Sequence, residues 1–314
     1  MDNISLTPID VADQLRIAKN TVYELIKRGE LPAYKVGRKV RIDASDLEAY
    51  KNRGKATGGF EPSPSNQDLS QDFHPSQRSQ KSLLISGKDK SLDILADFLR
   101  QEMPAYPVFR SHTNSYKSLV DLYLGQTNLA ASHLYDATSH TYNTTYCKVL
   151  LPSTPILIIN LAHRVQGFYV LSGNPSHIQT WSDLGKSDIK LMNREKGSGS
   201  RILLDQKLEH LHIDSQDIHG YDQEVTSSIM AINSILSGKA DCAIGCENIS
   251  KNIPGIDFIP LQKESYDLII KKSHMTEVIY TRIFDIINSK AFKDTIGLHS
   301  SYDTRKTGDI VYES

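Results

Sequence analysis

Residues 193–205, NREKGSGSRILLD, combine the groups that bind an anion. They follow an apolar stretch at 189–192 and open a helical pattern at about 201–209. Gly197-Ser198-Gly199-Ser200-Arg201 offers free backbone N–H groups, two hydroxyls and a guanidinium at a helix start. A helix N-terminus carries unpaired donors and a partial positive charge, and a guanidinium adds charge-assisted hydrogen bonds. No Gly-Lys-Ser/Thr follows at Walker A spacing, and no dinucleotide fingerprint is present. The same residues would also serve as a plain helix cap with an exposed arginine. Three further segments are analogous: Ser86-Gly87 after the first apolar run, Asn114-Ser115 before a helix, and Glu224–Ser228 (EVTSS) before another. Each alone reads as an N-cap. Together the four outline a cleft.

Other chemistry is not indicated. His133, His163 and His177 lie in separate blocks, without zinc-ligand spacing. His210 and His212 fall near a helix end and are expected to be exposed. Cys147, Cys242 and Cys246 form no disulfide framework, and Cys242-x-x-x-Cys246 fits small buried residues better than a metal or redox pair. Tyr135, Tyr142 and Tyr146 are expected in the core or a cleft wall. No nucleophile, base and orienting acid form a set, so the expectation is no catalysis, no metal and no cofactor.

The elements that position the four segments come from the pattern between 82 and 314. Short apolar runs (Leu83–Ile85, Val108-Phe109, Leu129–Ala131, Ile189–Met192, Ala240–Ile244) alternate with helical stretches. That predicts an α/β fold with mostly parallel sheets, whose ligands sit beyond the carboxyl ends of the strands.

The chain of 314 residues has room for about two domains. Its net charge of −1 hides an asymmetry. Residues 1–55 hold 11 Lys/Arg and 8 Asp/Glu, 56–80 one Arg and three acids, and 81–314 hold 24 basic and 26 acidic residues. The Ser, Gln, Pro and Gly of the middle segment predict a flexible linker over 54–81. At the N-terminus, Thr7-Pro8 caps a helix bearing Ile9, Val11, Ala12 and Leu15, and a second helix runs from about Lys19 to Lys27. Residues 33–42 alternate around Gly37-Arg38 as a small hairpin, and Asp43 caps a last helix.

The segment LTPIDVADQLRIAKNTVYELIKRGELPAYKVGRKVRIDASDLEAY resembles the excisionase-type winged helix-turn-helix domain, related to the MerR DNA-binding head. The resemblance implies that the second helix enters the major groove and the hairpin touches the backbone or minor groove. Lys19, Asn20, Thr21 and Tyr23 then stand where base edges are reached. Lys27, Arg28, Lys35, Arg38, Lys39 and Arg41 can pair with phosphates. A head of about fifty residues makes few base contacts, so a homodimer on a two-fold site of double-stranded DNA is expected.

The blocks SLLISGKDKSLDILADFL, ASHLYDATSHTYN, HRVQGFYVLSGNP, NREKGSGSRILLD, ILSGKADCAIG and FIPLQKESYDLII resemble the periplasmic-binding-protein-like domain found behind such heads and in some molybdenum-cofactor proteins. That domain is related to molybdate- and tungstate-binding proteins and, more distantly, to LysR effector domains. The resemblance implies a two-lobe type II architecture over 82–314, with lobe 1 at about 82–160 and 265–314 and lobe 2 at about 165–260. Crossovers are expected near Asn160–Gln166 and Leu261–Tyr266, with the helices around 277–297 returning to lobe 1. It further implies ligand contacts at Ser86, Ser115, Ser198, Ser200, Arg201, Thr226 and Ser227. Arg164 and Asn143 match marked positions of the pattern, and Arg164 joins the ligand set. Asn114 and Ser118 depart from the family's usual glycines.

The expectation is a one-component transcriptional regulator, with the DNA-binding domain at 1–53, whose effector is a small oxyanion such as molybdate or tungstate. The alternatives are a regulator sensing another small molecule, a molybdenum-cofactor enzyme or accessory protein, and an architectural DNA-binding protein. No apolar run reaches the ~20 residues of a bilayer span and no secretory signal is visible, so a cytoplasmic protein with no membrane partner is expected.

Overall fold

The computed structural model describes residues 5–15, 17, 19–27, 31–37, 39–56, 82–274, 277–298 and 301–314. The chain divides into two compact units, Met1–Asp72 and Phe73–Ser314.

The first unit contains β1 (Ser5–Leu6), α1 (Pro8–Leu15), α2 (Lys19–Lys27), β2 (Tyr34–Val36), β3 (Lys39–Asp43) and α3 (Ala44–Ala56). Thr7 starts α1 through a reciprocal cap: its Oγ1 accepts from Asp10 N at 3.2 Å, and its own N–H donates to Asp10 Oδ2 at 2.8 Å. The hairpin β2–β3 turns at Gly37, whose φ of +62° suits glycine, and β1 extends the sheet on the far side of β3. Val11, Ala12, Val22, Leu25, Leu31, Ile42 and Leu47 form the core. Helix α3 runs to Ala56, three residues past the expected boundary at 53; the rest of the expected linker, 57–81, lies outside the described residues.

The second unit contains β4 (Leu83–Ser86), α4 (Lys90–Glu102), β5 (Val108–Ser111), α5 (Ser115–Tyr123), β6 (Leu129–Ser132), β7 (Tyr135–Asp136), β8 (Thr141–Tyr142), α6 (Thr144–Leu150) and β9 (Ile156–Leu171). It continues with β10 (Leu191–Arg194), α7 (Gly199–His210), β11 (Glu224–Val225), α8 (Ser228–Leu236), β12 (Cys242–Cys246), α9 (Glu247–Ser250), β13 (Ile256–Lys271), α10 (Val278–Asn288), α11 (Lys290–Gly297) and β14 (Ile310–Glu313). One sheet runs in the order β11-β10-β12-β9-β13-β6-β4-β5, with β14 on β9.

The sheet is parallel only in part. Strands β4, β5 and β6 are parallel in lobe 1, as are β10, β11 and β12 in lobe 2. The two 16-residue strands β9 and β13 are antiparallel to each other and to the strands beside them. They correct the expectation of a mostly parallel sheet. Each passes from one lobe to the other, so its apolar residues fill two cores. Leu157, Ile159 and Leu161 of β9 pack in lobe 1 with Leu268 and Ile270 of β13. Farther along β9, Phe168 and Val170 pack in lobe 2 with Leu191, Leu203 and Ile244. The expected crossover segments face each other at the middle of this ribbon, with Arg164 opposite Glu264 and Gln166 opposite Gln262.

Helix α4 buries Leu92, Leu95 and Leu99 against Ile283, Ile286 and Phe292 of α10 and α11, which return to lobe 1 as expected. Each such side chain contributes roughly 1.5–3 kcal/mol. Cys147, Cys242 and Cys246 are buried free thiols, and His210 and His212 are exposed. No described helix is long and apolar enough to cross a membrane.

Candidate functional site

Four helix N-termini converge on one cleft between the lobes. Each is closed by a side chain that accepts a backbone N–H: Asp89 from Ser91 at 2.8 Å, Asn114 from Lys117 at 2.9 Å, Ser198 from Arg201 at 3.3 Å and Ser227 from Met230 at 3.2 Å. The strands end where these helices begin, so backbone donors and small hydroxyls face the gap. The cavity measures about 90 Å³, far below the roughly 300–1,000 Å³ of pockets that take drug-sized ligands. Thr113, Asn114, Ser115, His133, Arg164 and Gln166 line it with Arg194, Ser198, Gly199, Ser200, Ser228, Cys246 and Tyr266.

The lobes touch around this cavity. Lys88 of lobe 1 is ion-paired with Glu195 of lobe 2, and its Nζ also donates to the Thr226 carbonyl at 3.3 Å. Asn114 Nδ2 donates to Lys196 O at 3.3 Å, and Tyr116 N to Gly197 O at 3.1 Å. Gly199 lies so close to His133 that a Cβ there would stand 2.4 Å from the ring. The glycine therefore lets α7 approach lobe 1.

Arg164 stands at the floor of the cleft, fully enclosed. It forms ion pairs with Asp89 and Glu264 and stacks over Tyr266, with Cζ 4.1 Å from the ring centre. Tyr302 donates to Asp89 Oδ2 at 2.9 Å and accepts from Asn248 Nδ2 at 2.9 Å, linking the C-terminal segment to both lobes. His133 Nδ1 lies 2.7 Å from Glu264 Oε2. Burial raises the Glu264 carboxyl, but Arg164 and His133 outweigh it and hold the group at about 2.

Arg194 ends β10 on the opposite wall. Its Nη1 donates to Ser228 Oγ at 2.8 Å and its Nη2 to Thr226 O at 3.3 Å, while its Nε has no partner. Among the described residues no carboxylate lies within ion-pair distance of it, and burial pulls its pKa down. A desolvated cation of this kind is costly unless an anion meets it.

The structure brings Ser115, Arg164, Ser198 and Ser200 of the expected ligand set to the cavity wall, Ser200 held by Gln166 at 3.1 Å. The other four do not line it. Ser86 is buried behind the wall, bonded to Thr113 at 2.5 Å and Ser118 at 3.0 Å. Arg201 turns away: Asp205 holds its Nε at 2.9 Å, Glu224 its Nη1 at 2.8 Å, and Tyr221 lies under it. Ser227 caps α8 and Thr226 is exposed, so the neighbouring Ser228 faces the cavity instead. Asn143 ties the fold together, donating to Asp267 Oδ2 at 2.7 Å and accepting from Leu134 N at 2.8 Å. Both departures from the family's glycines have uses: Ser118 completes the hydroxyl cluster, and Asn114 caps α5 and joins the lobes.

Asp89, His133 and Glu264 lie outside the segments expected at the cleft; Arg194 and Ser228 lie within two of those segments but outside the expected ligand set. Arg194 sits inside the 193–205 motif, and its strand spans 191–194 rather than the expected 189–192. The i, i+4 spacing of Arg201 and Asp205 was the available signal that Arg201 has a partner on its own helix.

In the N-terminal unit Lys19, Thr21, Tyr23 and Lys39 are exposed and Arg41 is half-buried. Arg28 and Arg38, and the side chains of Asn20, Lys27 and Lys35, lie outside the described residues.

Comparison with known proteins matches residues 96–288 to the PBP superfamily domain and residues 5–55 to a helix-turn-helix domain. The chain is 38% identical over 310 residues to the uncharacterized protein YvgK of Bacillus subtilis (strain 168), covering 99% of this chain and 98% of that one. Among solved structures it is similar to a Clostridium perfringens protein described as a phosphate ABC transporter substrate-binding protein, solved with bound phosphate (TM-score 0.52, 14% identity, 70% of this chain and 98% of that one). The P235GK mutant of ArgBP from T. maritima is also similar (TM-score 0.50, 13% identity, 70% and 96%). At these identities the structures speak for the fold alone. The chain belongs to the PBP superfamily and carries its PBP-like domain behind an N-terminal helix-turn-helix domain.

Proposed function

We propose that this chain is a transcriptional regulator whose cleft senses a small oxyanion, with molybdate and tungstate as first candidates. The pairing of a helix-turn-helix domain with a PBP-like domain supports a ligand-sensing, DNA-binding regulator. The oxyanion reading rests on Arg194, a buried guanidinium on the wall of a small cavity, with no carboxylate within ion-pair distance among the described residues. Ser115, Ser198 and Ser228 stand around the same cavity as neutral donors, whereas the Ser200 hydroxyl donates to Gln166. Asp89 and Glu264 are engaged by Arg164, so their charge is offset within the protein. The chain acts by binding rather than catalysis, and as a homodimer on a two-fold DNA site. Closure of the lobes is the two-state element, and linkage requires that DNA change ligand affinity by the same factor as ligand changes DNA affinity.

Titration calorimetry of the full chain with molybdate, tungstate, sulfate, phosphate and small organic acids tests this reading. Saturable 1:1 binding of an oxyanion, together with changed retention of genomic DNA fragments in its presence, is the expected result. Binding of an organic acid while every oxyanion gives no heat would overturn it in favour of another effector.

A further inference from the structure

We propose that the outer face of α8 is where a second copy of this chain docks, antiparallel across a two-fold axis through Asn233. The proposal deepens the homodimer reading above by naming its surface. From Val225 to Gly238 the sequence carries no Asp, Glu, Lys or Arg, in a chain of which 23% is charged. Helix α8 buries Ala231, Ile232 and Ile235 against Tyr169, Met192 and Ala243 of lobe 2. A surface helix ordinarily turns charged and polar residues to its other side. Here that side carries Ile229, Met230 and Leu236, which are 56%, 52% and 44% exposed, with Asn233 exposed between them. Ile229, Asn233 and Leu236 follow the i, i+4, i+7 spacing of helix-docking anchors.

The chemistry of this face selects a second copy as its occupant. In a two-fold contact a residue near the axis meets its own copy, so a charged face would oppose like charges. This face has none. Asn233 on the axis meets Asn233, and an amide offers both a donor and an acceptor to its like. Antiparallel packing about Asn233 sets Met230 against Leu236 and Ile229 against Ser237. It also brings the N-terminal end of each helix to the C-terminal end of the other, where the helix dipoles attract. Lys239, exposed past the C-terminal end, then lies toward Asp222 and Glu224, exposed before the N-terminal end. Parallel packing would instead oppose Lys239 to Lys239. A standard interface covers about 800 Å² per partner, with an apolar centre and a polar rim. The stripe is that centre, and the exposed Thr226, Ser237 and Lys239 stand at its rim. The face also begins at the cleft. Ser228 opens α8 and accepts from Arg194 Nη1 at 2.8 Å, and Thr226 O accepts from Arg194 and from Lys88 of lobe 1. The docking helix therefore starts at the residues that hold the unpaired cation of the cleft.

The test is sedimentation equilibrium of the full chain, joined with cysteine cross-linking. The wild type should be a dimer with a dissociation constant in the micromolar range or tighter. Ile229→Arg combined with Leu236→Arg should raise that constant roughly 100-fold or more while circular dichroism stays native, because both side chains are exposed. Asn233→Cys should form an intermolecular disulfide under mild oxidation. Lys239→Cys should not, since its two copies stand roughly 18 Å apart by helical rise. The native Cys147, Cys242 and Cys246 are buried, so the wild type should give no cross-link. A dimer undisturbed by the arginine pair, or a cross-link through position 239 rather than 233, overturns the surface and leaves the homodimer reading standing. A wild type that is monomeric in solution, its α8 face covered by another segment of the chain or by solvent, overturns the surface. One that is monomeric on DNA as well overturns the homodimer reading with it. Should the arginine variant not fold, the two cysteine variants decide by the same outcomes.

Discussion

Arg164 of β9 lies over the ring of Tyr266 on β13, with its guanidinium carbon 4.1 Å from the ring centre. The stack joins the two strands that pass between the lobes, at the point where Asp89 and Glu264 close on the same guanidinium. A buried cation here holds two carboxylates that would otherwise repel each other.

Replacing Arg164 by Ala leaves both carboxylates buried without their partner. The expected loss is about 3–5 kcal/mol of unfolding free energy, measured by urea denaturation of the full chain. A loss under about 1 kcal/mol would mean that the charges are solvated in the folded protein.

Arg194→Ala removes the cation of the cleft that has no carboxylate partner. Affinity for the bound oxyanion should fall by about 1.5–3 kcal/mol, roughly 10- to 150-fold by calorimetry. Arg201→Ala should change that affinity much less, because Asp205 and Glu224 already take its donors.

Gly199→Ala places a Cβ 2.4 Å from the His133 ring. Either the His133 ring or the N-terminus of α7 must then shift. Ligand affinity should drop at least tenfold while circular dichroism still reports the native secondary structure.

Burial pushes the Asp267 carboxyl up from 3.8 to about 6, against hydrogen bonds from Ser265, Asn160 and Asn143 that pull it down. Its folded pKa exceeds its unfolded one, so its contribution to stability is complete below about pH 4 and is lost as pH rises through about 6. Two units correspond to about 3 kcal/mol at most. Unfolding free energies of the wild type and Asp267→Asn should diverge across this window; parallel pH profiles would assign the carboxyl an ordinary pKa.

Lys39 is exposed on the hairpin strand β3. Lys39→Ala should weaken DNA binding about equally for specific and random sequences and reduce the slope of log K against log salt by about 1. A change confined to one sequence would assign it to base recognition.

Features set by short-range chemistry were legible before the fold was known. Thr7 caps α1, Gly37 turns the hairpin, and Asn114, Ser198 and Ser227 cap helices that point at one cleft. Of the charged floor only Arg164 was expected, through the resemblance. Asp89, His133, Arg164 and Glu264 come from four distant segments, and no spacing rule links them; the antiparallel pairing of β9 and β13 sets Arg164 opposite Glu264. Glu264 lies in a strand rich in apolar residues without any local partner to mark it. Arg201 follows the glycines directly in sequence, but the end of β10 decides which of the two arginines faces the gap, and it carries Arg194.

Diffraction from crystals of the full chain grown with tungstate, recorded at the tungsten absorption edge, tests the central claim most directly. One strong anomalous peak between Arg194 and the α5 and α7 N-termini, within hydrogen-bond reach of Ser115 and Ser198, is the predicted result. No peak in the cleft at a concentration that saturates calorimetric binding would contradict it.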